Sequence, residues 1–303
     1  MQTTRCSAQD LLAWRRSKLA QGGRAVDFDW LLMMQGDLSW AALQKMRILP
    51  ESTVHLAASL TELESLWHRH VTEHVPLQHL VGRCPWRDVE LQVSAAALIP
   101  RQETELLIDL ALQCLKHSDS DALPQAGFWA DLGTGSGAIA VALARSLPRW
   151  EGHAVDLSAE ALDLARVNLR SLAPSNGWTL HQGSWWEPLR HLWGMLHLVL
   201  SNPPYIPRTQ VHGLDPVVRD HEPHLALSGG DDGLDCLRAI IDEAPRALAP
   251  GGWLLVEHHH DQSDDVLMLM RDAGLAARFL KERLEPAVGA DIFLECAKKS
   301  ARA

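Results

Sequence analysis

The stretch Phe128–Leu147 limits the possible folds more than any other part of this chain. Phe128–Leu132 is a short apolar run of strand type, Gly133-Thr134-Gly135-Ser136-Gly137 follows, and Ala138–Leu147 has the apolar spacing of a helix. A buried strand that turns through glycines into a helix is the opening unit of a parallel α/β sheet. The alternation continues downstream. His153–Asp156, Thr179–His181, Leu196–Ser201 and Trp253–Glu257 read as strands. Helices are predicted after Ser158, over Leu234–Leu248 and over Val266–Ala273, and Ala276–Leu280 and Ile292–Cys296 are placed as strands closing the sheet. Residues 98–303 are therefore expected to form one α/β domain.

Upstream the signals are helical. Ser7 caps a helix through Leu11, Leu12, Trp14 and Leu19 that Gly22 and Gly23 end. Phe28–Met34 and Leu38–Met46 are further helical patches, and Thr61-Glu62-Leu63-Glu64 fits a capping box opening a helix through Leu66 and Trp67. Residues 1–75 are expected to be a helical bundle. Over 76–97, Pro76, Gly82 and Pro85 punctuate the chain, and Val89, Leu91 and Val93 alternate with polar residues, which predicts a β-hairpin connector. A helix over Glu103–Leu115 follows.

Charge and cysteine usage exclude several function classes. The formal net charge is -10 with no basic run, so the chain repels phosphate backbones and no direct nucleic-acid partner is expected. Apolar runs such as Leu196–Leu200 are too short for a bilayer, and Met1–Leu12 lacks the apolar core of a signal peptide. Cys6, Cys84, Cys114, Cys236 and Cys296 form no C-x-x-C pair and are read as thiols of a reducing cytoplasm. His258, His259 and His260 are adjacent on one strand end, where side chains diverge, so no metal site is expected. The chain is read as a cytoplasmic monomer without a membrane partner.

Two motifs carry chemistry. The loop Asp131-Leu132-Gly133-Thr134-Gly135-Ser136-Gly137 lets backbone approach a ligand closely, and the helix behind it offers free N–H groups. The loop also satisfies a relaxed dinucleotide fingerprint, with Asp156 placed 19 residues after Gly137 to bind a ribose. Asp131 discriminates between cofactors: a carboxylate at that position repels a pyrophosphate but suits the ammonium of a methionine moiety. The second motif, Asn202-Pro203-Pro204-Tyr205, follows the fourth strand. An amide or base NH2 is a poor nucleophile, because its lone pair is delocalised. The Asn202 side-chain carbonyl and the Pro203 backbone carbonyl can accept its two N–H groups. Pro203 and Pro204 keep that backbone extended, and Tyr205, the single tyrosine, offers a flat wall for a planar group. Trp185, after the third strand, either stacks on an adenine or packs in the core. These positions follow four successive strands, whose carboxyl ends form the ligand crevice of an open sheet. S-adenosyl-L-methionine is the cofactor this pattern favours, with an amino nitrogen as target.

The glycine loop together with N-P-P-Y resembles class I methyltransferases that act on amino groups. Ile99-Pro100-Arg101-Gln102-Glu103-Thr104-Glu105 and Arg219-Asp220-His221-Glu222-Pro223 narrow the resemblance to the HemK/PrmC family of peptide chain release factor glutamine methyltransferases. That resemblance implies a Rossmann-like class I sheet behind an N-terminal helical domain that docks the substrate. It implies methyl transfer to the N5 amide nitrogen of the glutamine in the Gly-Gly-Gln motif of class-1 release factors. It implies that Asp131, Gly133, Thr134, Gly135, Ser136, Gly137, Asp156, Trp185 and Asn202 hold the cofactor. Asn202, Pro203 and Tyr205 would be catalytic, with Pro204 completing the substrate slot. Arg101 and Glu105 either lie near the cofactor or form a helix-surface ion pair, and Glu222 either orders the loop or pairs with Arg219. The chain departs from the family in Ser184, where many relatives carry Asp, and over Leu284–Ile292, which lacks an acidic-glycine-arginine pattern. The rivals are a sister enzyme acting on a glutamine of a large-subunit ribosomal protein, an adenine-amino nucleic-acid methyltransferase, and a non-catalytic cofactor-binding module. The I-P-R-x-E-T-E segment, the acidic balance and the intact N-P-P-Y weigh against each in turn.

Overall fold

A computed structural model describes residues 3–116, 125–175, 177–279 and 292–299. The chain divides into two compact units, Met1–Gly82 with Asp215–His221, and Arg83–Leu214 with Glu222–Ala303. The first unit thus runs past residue 75 into the stretch expected as connector, and it takes in a segment of the long loop that no local signal marks.

The first unit contains β1 (Thr4–Ser7), α1 (Ala8–Leu19), α2 (Ala25–Met34), α3 (Trp40–Ile48), β2 (Thr53–Leu56), α4 (Leu60–Glu73) and α5 (Leu77–Val81). The Ser7 hydroxyl accepts from the Asp10 N–H and caps α1 as expected. Phe28, at the centre of the core, meets the edges of Trp14 and Trp67 at centroid distances of 5.4 and 4.7 Å. Two expectations need correction. The unit is not purely helical: β1 and β2 pair antiparallel, Thr4 against Leu56. Four-residue strands carry too little periodicity to be read locally. The cap of α4 is Ser59, whose hydroxyl accepts from the Glu62 N–H, rather than Thr61. Ser59-Leu60-Thr61-Glu62 and Thr61-Glu62-Leu63-Glu64 both satisfy the S/T-x-x-E spacing, and the earlier register wins.

The second unit opens with the hairpin β3 (Arg83–Trp86) and β4 (Val89–Gln92), then α6 (Glu105–Lys116). It continues through β5 (Phe128–Leu132), α7 (Ala138–Ser146), β6 (Glu151–Asp156), α8 (Ala159–Leu172), β7 (Trp178–Gln182) and β8 (Leu196–Ser201). The loop after β8 carries α9 (Arg208–Val211) and α10 (Pro216–Arg219), the latter in the segment that belongs to the first unit. Then come α11 (Asp235–Ala247), β9 (Leu248–His259), α12 (Ser263–Asp272), β10 (Ala276–Phe279) and β11 (Ile292–Lys298). Among the described residues the strands form one seven-stranded sheet in the order β10-β11-β9-β8-β5-β6-β7. β5 to β9 are parallel, and β10 and β11 are antiparallel.

Both faces of the sheet are covered. Leu107 of α6, Val141 of α7 and Leu169 of α8 pack with Trp129, Leu198 and Leu255 on one face. Ile240 of α11 and Met270 of α12 pack with Ala130, Val199 and Val256 on the other. Alternate strand residues thus face opposite layers, and near-continuous apolar strands follow. The chain runs from β5 outward to β7, then returns to β8 on the other side of β5. The order reverses between β5 and β8, so the loops after these two strands lie side by side at the crevice. Among the described residues no helix is long and apolar enough to cross a membrane. The expected C-terminal departure over residues 284–291 lies outside the described residues.

Candidate active site

The glycine loop grows out of β5 and ends in α7. Gly133 and Gly137 hold φ of 76° and 83°, the left-handed region that side chains rarely adopt. Space adds to the requirement at Gly137, where a Cβ would come within 3.0 Å of the Ala165 Cβ. The N–H groups of Gly133 and Thr134 both donate to the Val155 carbonyl at 2.9 Å, tying the loop to β6. Asp156, at the end of β6, accepts from the Gly135 N–H at 2.8 Å and the Ser158 N–H at 2.9 Å. Burial raises its pKa, and these N–H groups pull it back.

Asp131 is fully buried beneath the loop. Its Oδ2 accepts from the Thr134 hydroxyl at 2.6 Å and the Ala140 N–H at 3.1 Å. Its Oδ1 is buried with no partner. Burial pushes the carboxyl up to about 7, and the Asp156 charge pushes the same way.

At the end of β8 the contacts are long-range. The Asn202 Nδ2 donates to the Thr104 Oγ1 at 3.1 Å, and the Thr104 hydroxyl donates to the Glu257 Oε2 at 2.7 Å. The Tyr205 hydroxyl donates to the other Glu257 oxygen at 3.3 Å. Glu257 is fully buried on β9, and burial pushes its carboxyl up to about 7 despite the hydroxyls of Thr104 and Tyr205 and the Asn202 amide. Burial and the adjacent Glu257 both raise the pKa of Tyr205, which stays a neutral donor. The Gln262 Nε2 holds the Tyr205 carbonyl at 2.9 Å.

One cavity of about 390 Å³ joins these parts. Gly133, Thr134, Gly135, Ser136, Asp156, Trp185, Asn202 and Pro204 line it, together with Ser184, Arg101 and Thr104. Asp131, Gly137, Pro203 and Tyr205 are not in its lining. Gly137 instead caps α7, Pro203 is buried, and the Tyr205 phenol is committed to Glu257. Trp185 holds a φ of 44°, a strained value for a bulky residue, and its ring lies 3.2 Å from where a Gly133 Cβ would stand. The indole therefore both lines the cavity and packs on the loop.

Of the two readings for Arg101 with Glu105 and for Glu222, the Arg101–Glu105 and Glu222–Arg219 ion pairs are the ones that do not form. Arg101 pairs with Glu222 at 3.2 Å, and Glu105 accepts from the Arg87 N–H at 2.9 Å, so the two do not pair on a helix surface. Arg219 pairs with Asp220, while the buried Glu222 also accepts from the Ile99 N–H at 3.1 Å. Glu222 thus clamps the Ile99–Arg101 segment to the loop after β8. Sequence reading missed Thr104, Glu257 and Gln262 as site residues. For Glu257 a signal existed: a carboxylate ending the apolar run Trp253-Leu254-Leu255-Val256, at the carboxyl end of a parallel strand.

Comparison with known proteins bears on the fold and the family. Residues 106–220 match the methyltransferase small domain. The hMettl16 catalytic domain, solved with an RNA hairpin, superposes with a TM-score of 0.55 at 12% identity over 91% of this chain and 93% of that one, a likeness of fold alone. The sheet is a Rossmann-like class I methyltransferase fold. A release factor glutamine methyltransferase of Synechocystis is 40% identical over 278 residues, 88% of this chain and 90% of the relative. One of Prochlorococcus marinus is 57% identical over 268 residues, again 88% and 90%. Identity of that order over nearly the full length of both chains means that this chain belongs to the release factor glutamine methyltransferase family.

Proposed function

We propose that this chain transfers a methyl group from S-adenosyl-L-methionine to the side-chain amide nitrogen of a release-factor glutamine, the one in the Gly-Gly-Gln motif. The observation that carries the reading is the shared cavity, in which the glycine loop and Asp156 meet Asn202 across the switch point of the sheet. The relatives' names support the release factor over a ribosomal protein, and the net charge of -10 weighs against a nucleic acid.

The residues present fit the cofactor. The Asp156 carboxylate lines the cavity and can take ribose hydroxyls. The partnerless Asp131 Oδ1, buried beneath the loop and outside the lining, is an orphan acceptor that an ammonium would satisfy only with a shift of the loop. Glycine-loop N–H groups would meet the methionine end, and Trp185 would flank the adenine. When bound, the cofactor supplies a methyl group on a positively charged sulfur, an intrinsically good electrophile. The protein's task is then alignment, which is worth about 7–11 kcal/mol when geometry is good. Asn202 Oδ1 and the Pro203 carbonyl accept the two N–H groups of the target and favour positive charge developing on its nitrogen. The nitrogen becomes acidic as the new bond forms, so no dedicated base is assigned.

The first unit is assigned to docking the protein substrate. It exposes Trp40 and Ile48 at 59% and 76% on α3. The chain is assigned to a reducing cytoplasm as a monomer, and Cys6, Cys84, Cys114 and Cys236 form no disulfide among the described residues. The decisive experiment is tritiated methyl transfer to a purified release factor, with a Gln→Ala variant of its Gly-Gly-Gln tip as control. Label on the intact tip alone is expected; equal label on both would refute the target.

A further inference from the structure

We propose that the Thr104 hydroxyl and the Glu257 carboxylate form a positioning pair that selects which end of the Asn202 amide faces the target nitrogen. The proposal rests on the reading that Asn202 accepts a hydrogen bond from the substrate NH2. An asparagine amide has two ends of almost equal size, one accepting and one donating. Turned the wrong way, Nδ2 would meet the target NH2 donor to donor, and no alignment would follow. Neither β8 nor the prolines after Asn202 distinguish the two orientations.

Thr104 does. An ionised Glu257 has only lone pairs to offer, so the Thr104 hydroxyl, 2.7 Å away, must donate to it. Its single proton is then spent. The Thr104 oxygen can only accept from Asn202, 3.1 Å away, and Asn202 must present Nδ2 to it. Oδ1 is left for the substrate. The second Glu257 oxygen receives the Tyr205 hydroxyl, so one buried carboxylate holds both ends of the Asn202–Tyr205 turn. A carboxylate inside an apolar strand is costly unless fully hydrogen-bonded, and here both oxygens are engaged.

A proton on Glu257 would undo the selection. A neutral carboxyl can donate to Thr104, which frees the Thr104 proton for Asn202 and tolerates the reversed amide. The titratable group whose charge raises the Glu257 carboxyl is Glu103, ahead of α6; the neutral Tyr205 phenol, after β8, and the Asn202 amide lower it as hydrogen-bond donors, as the Thr104 hydroxyl does. Its neighbours on β9, Val256 and His258, face the opposite side of the sheet, and Leu294 of β11 stands opposite in register. Burial holds the Glu257 carboxyl at about 7, so the working form is lost as pH falls through neutrality.

The test is single-turnover methyl transfer to purified release factor at saturating cofactor, across pH, with calorimetric cofactor affinity as a measure of intact folding. Thr104→Val is expected to slow transfer about tenfold or more with cofactor affinity within about threefold, and Thr104→Ser to restore it within about threefold. Glu257→Gln keeps a carbonyl acceptor that cannot take up a proton, so its rate is expected to lose the acid limb near neutral pH. Equal impairment of the Val and Ser variants, or an acid limb unchanged in Glu257→Gln, overturns the positioning role. A wild-type rate in Thr104→Val beside an impaired Asn202→Ala overturns the pair and leaves the Asn202 reading standing. A wild-type rate in Asn202→Ala removes that reading itself and the pair with it.

Discussion

The glycine loop after β5 is held by partners close in sequence, whereas the Asn202–Tyr205 turn after β8 is held from far away. Asp131 reaches Thr134 and Ala140, three and nine residues on, and Asp156 reaches Gly135 at a separation of 21. Asn202 is held by Thr104 at a separation of 98, and Tyr205 by Glu257 at 52. The first region offers mainly backbone N–H groups, and the second offers side-chain atoms whose orientation is set by a relay. The difference suggests a division of labour, with cofactor affinity in the loop and transfer rate in the turn. Each region also buries one carboxylate pushed up to about 7, Asp131 in the loop and Glu257 behind the turn.

The sharpest way to break that division is Asn202→Ala. Loss of the acceptor leaves a target N–H unpaired as charge develops, and the single-turnover rate should fall on the order of a hundredfold or more. Cofactor affinity should change little. A loss that shows up mainly in affinity means the turn is part of the binding half.

Asp156→Ala is the reciprocal variant. It removes the proposed ribose contact and a loop tie, and affinity should weaken by about 1–3 kcal/mol while the rate at saturating cofactor stays close to normal. Calorimetry and single-turnover kinetics on the same preparation separate the two. Unchanged affinity would take Asp156 out of the cofactor site.

The two raised carboxylates give different pH signatures. Below about 7 the Asp131 carboxyl keeps its proton in the free protein, and an ammonium beside Oδ1 requires its removal. Cofactor affinity should therefore rise with pH, by at most about tenfold per unit, and level off above about 7. Asp131→Asn should flatten the curve. For the free protein the sign is opposite. A folded pKa above the unfolded value makes Asp131 contribute most stability below about 4, and that contribution is lost as pH rises through about 7. Titration of Glu257 should appear in the transfer rate and not in affinity. Curves in which both limbs appear in both observables would merge the two regions into one.

The smallest effect is expected furthest from either region. Replacing exposed Trp40 and Ile48 by Ser should raise KM for an intact release factor by about threefold to tenfold, through lost apolar contact. Cofactor affinity and limiting rate should be untouched, since neither side chain belongs to the cavity. A fall in the limiting rate argues that the first unit does more than dock.

Much of the second unit was legible because its signals are short-range. Apolar strands of five or six residues, the glycine loop, Ser158 capping α8 and the Asn202–Tyr205 turn are each visible within a window of about a dozen residues. The resemblance they support extends to the sheet order and to the cavity that joins them. Where two local readings competed, as with Ser59 and Thr61 at the start of α4, the spacing alone did not choose. The pairing of Thr4 with Leu56 left no pattern in either short strand.

The sequence by itself therefore determined the parallel sheet, the glycine loop after β5 and the Asn202–Tyr205 turn after β8. Each depends on backbone dihedrals and periodic burial, which neighbouring residues impose on one another. Tertiary structure alone decided that Thr104 meets Asn202, that Glu257 meets Thr104 at a separation of 153, and that Glu222 takes Arg101 instead of Arg219. It also assigned Asp215–His221 to the first unit. Hydrogen bonds between side chains on different strands and loops have no periodic imprint on the chain. Their geometry exists only after the sheet has brought the ends of β5, β8 and β9 together.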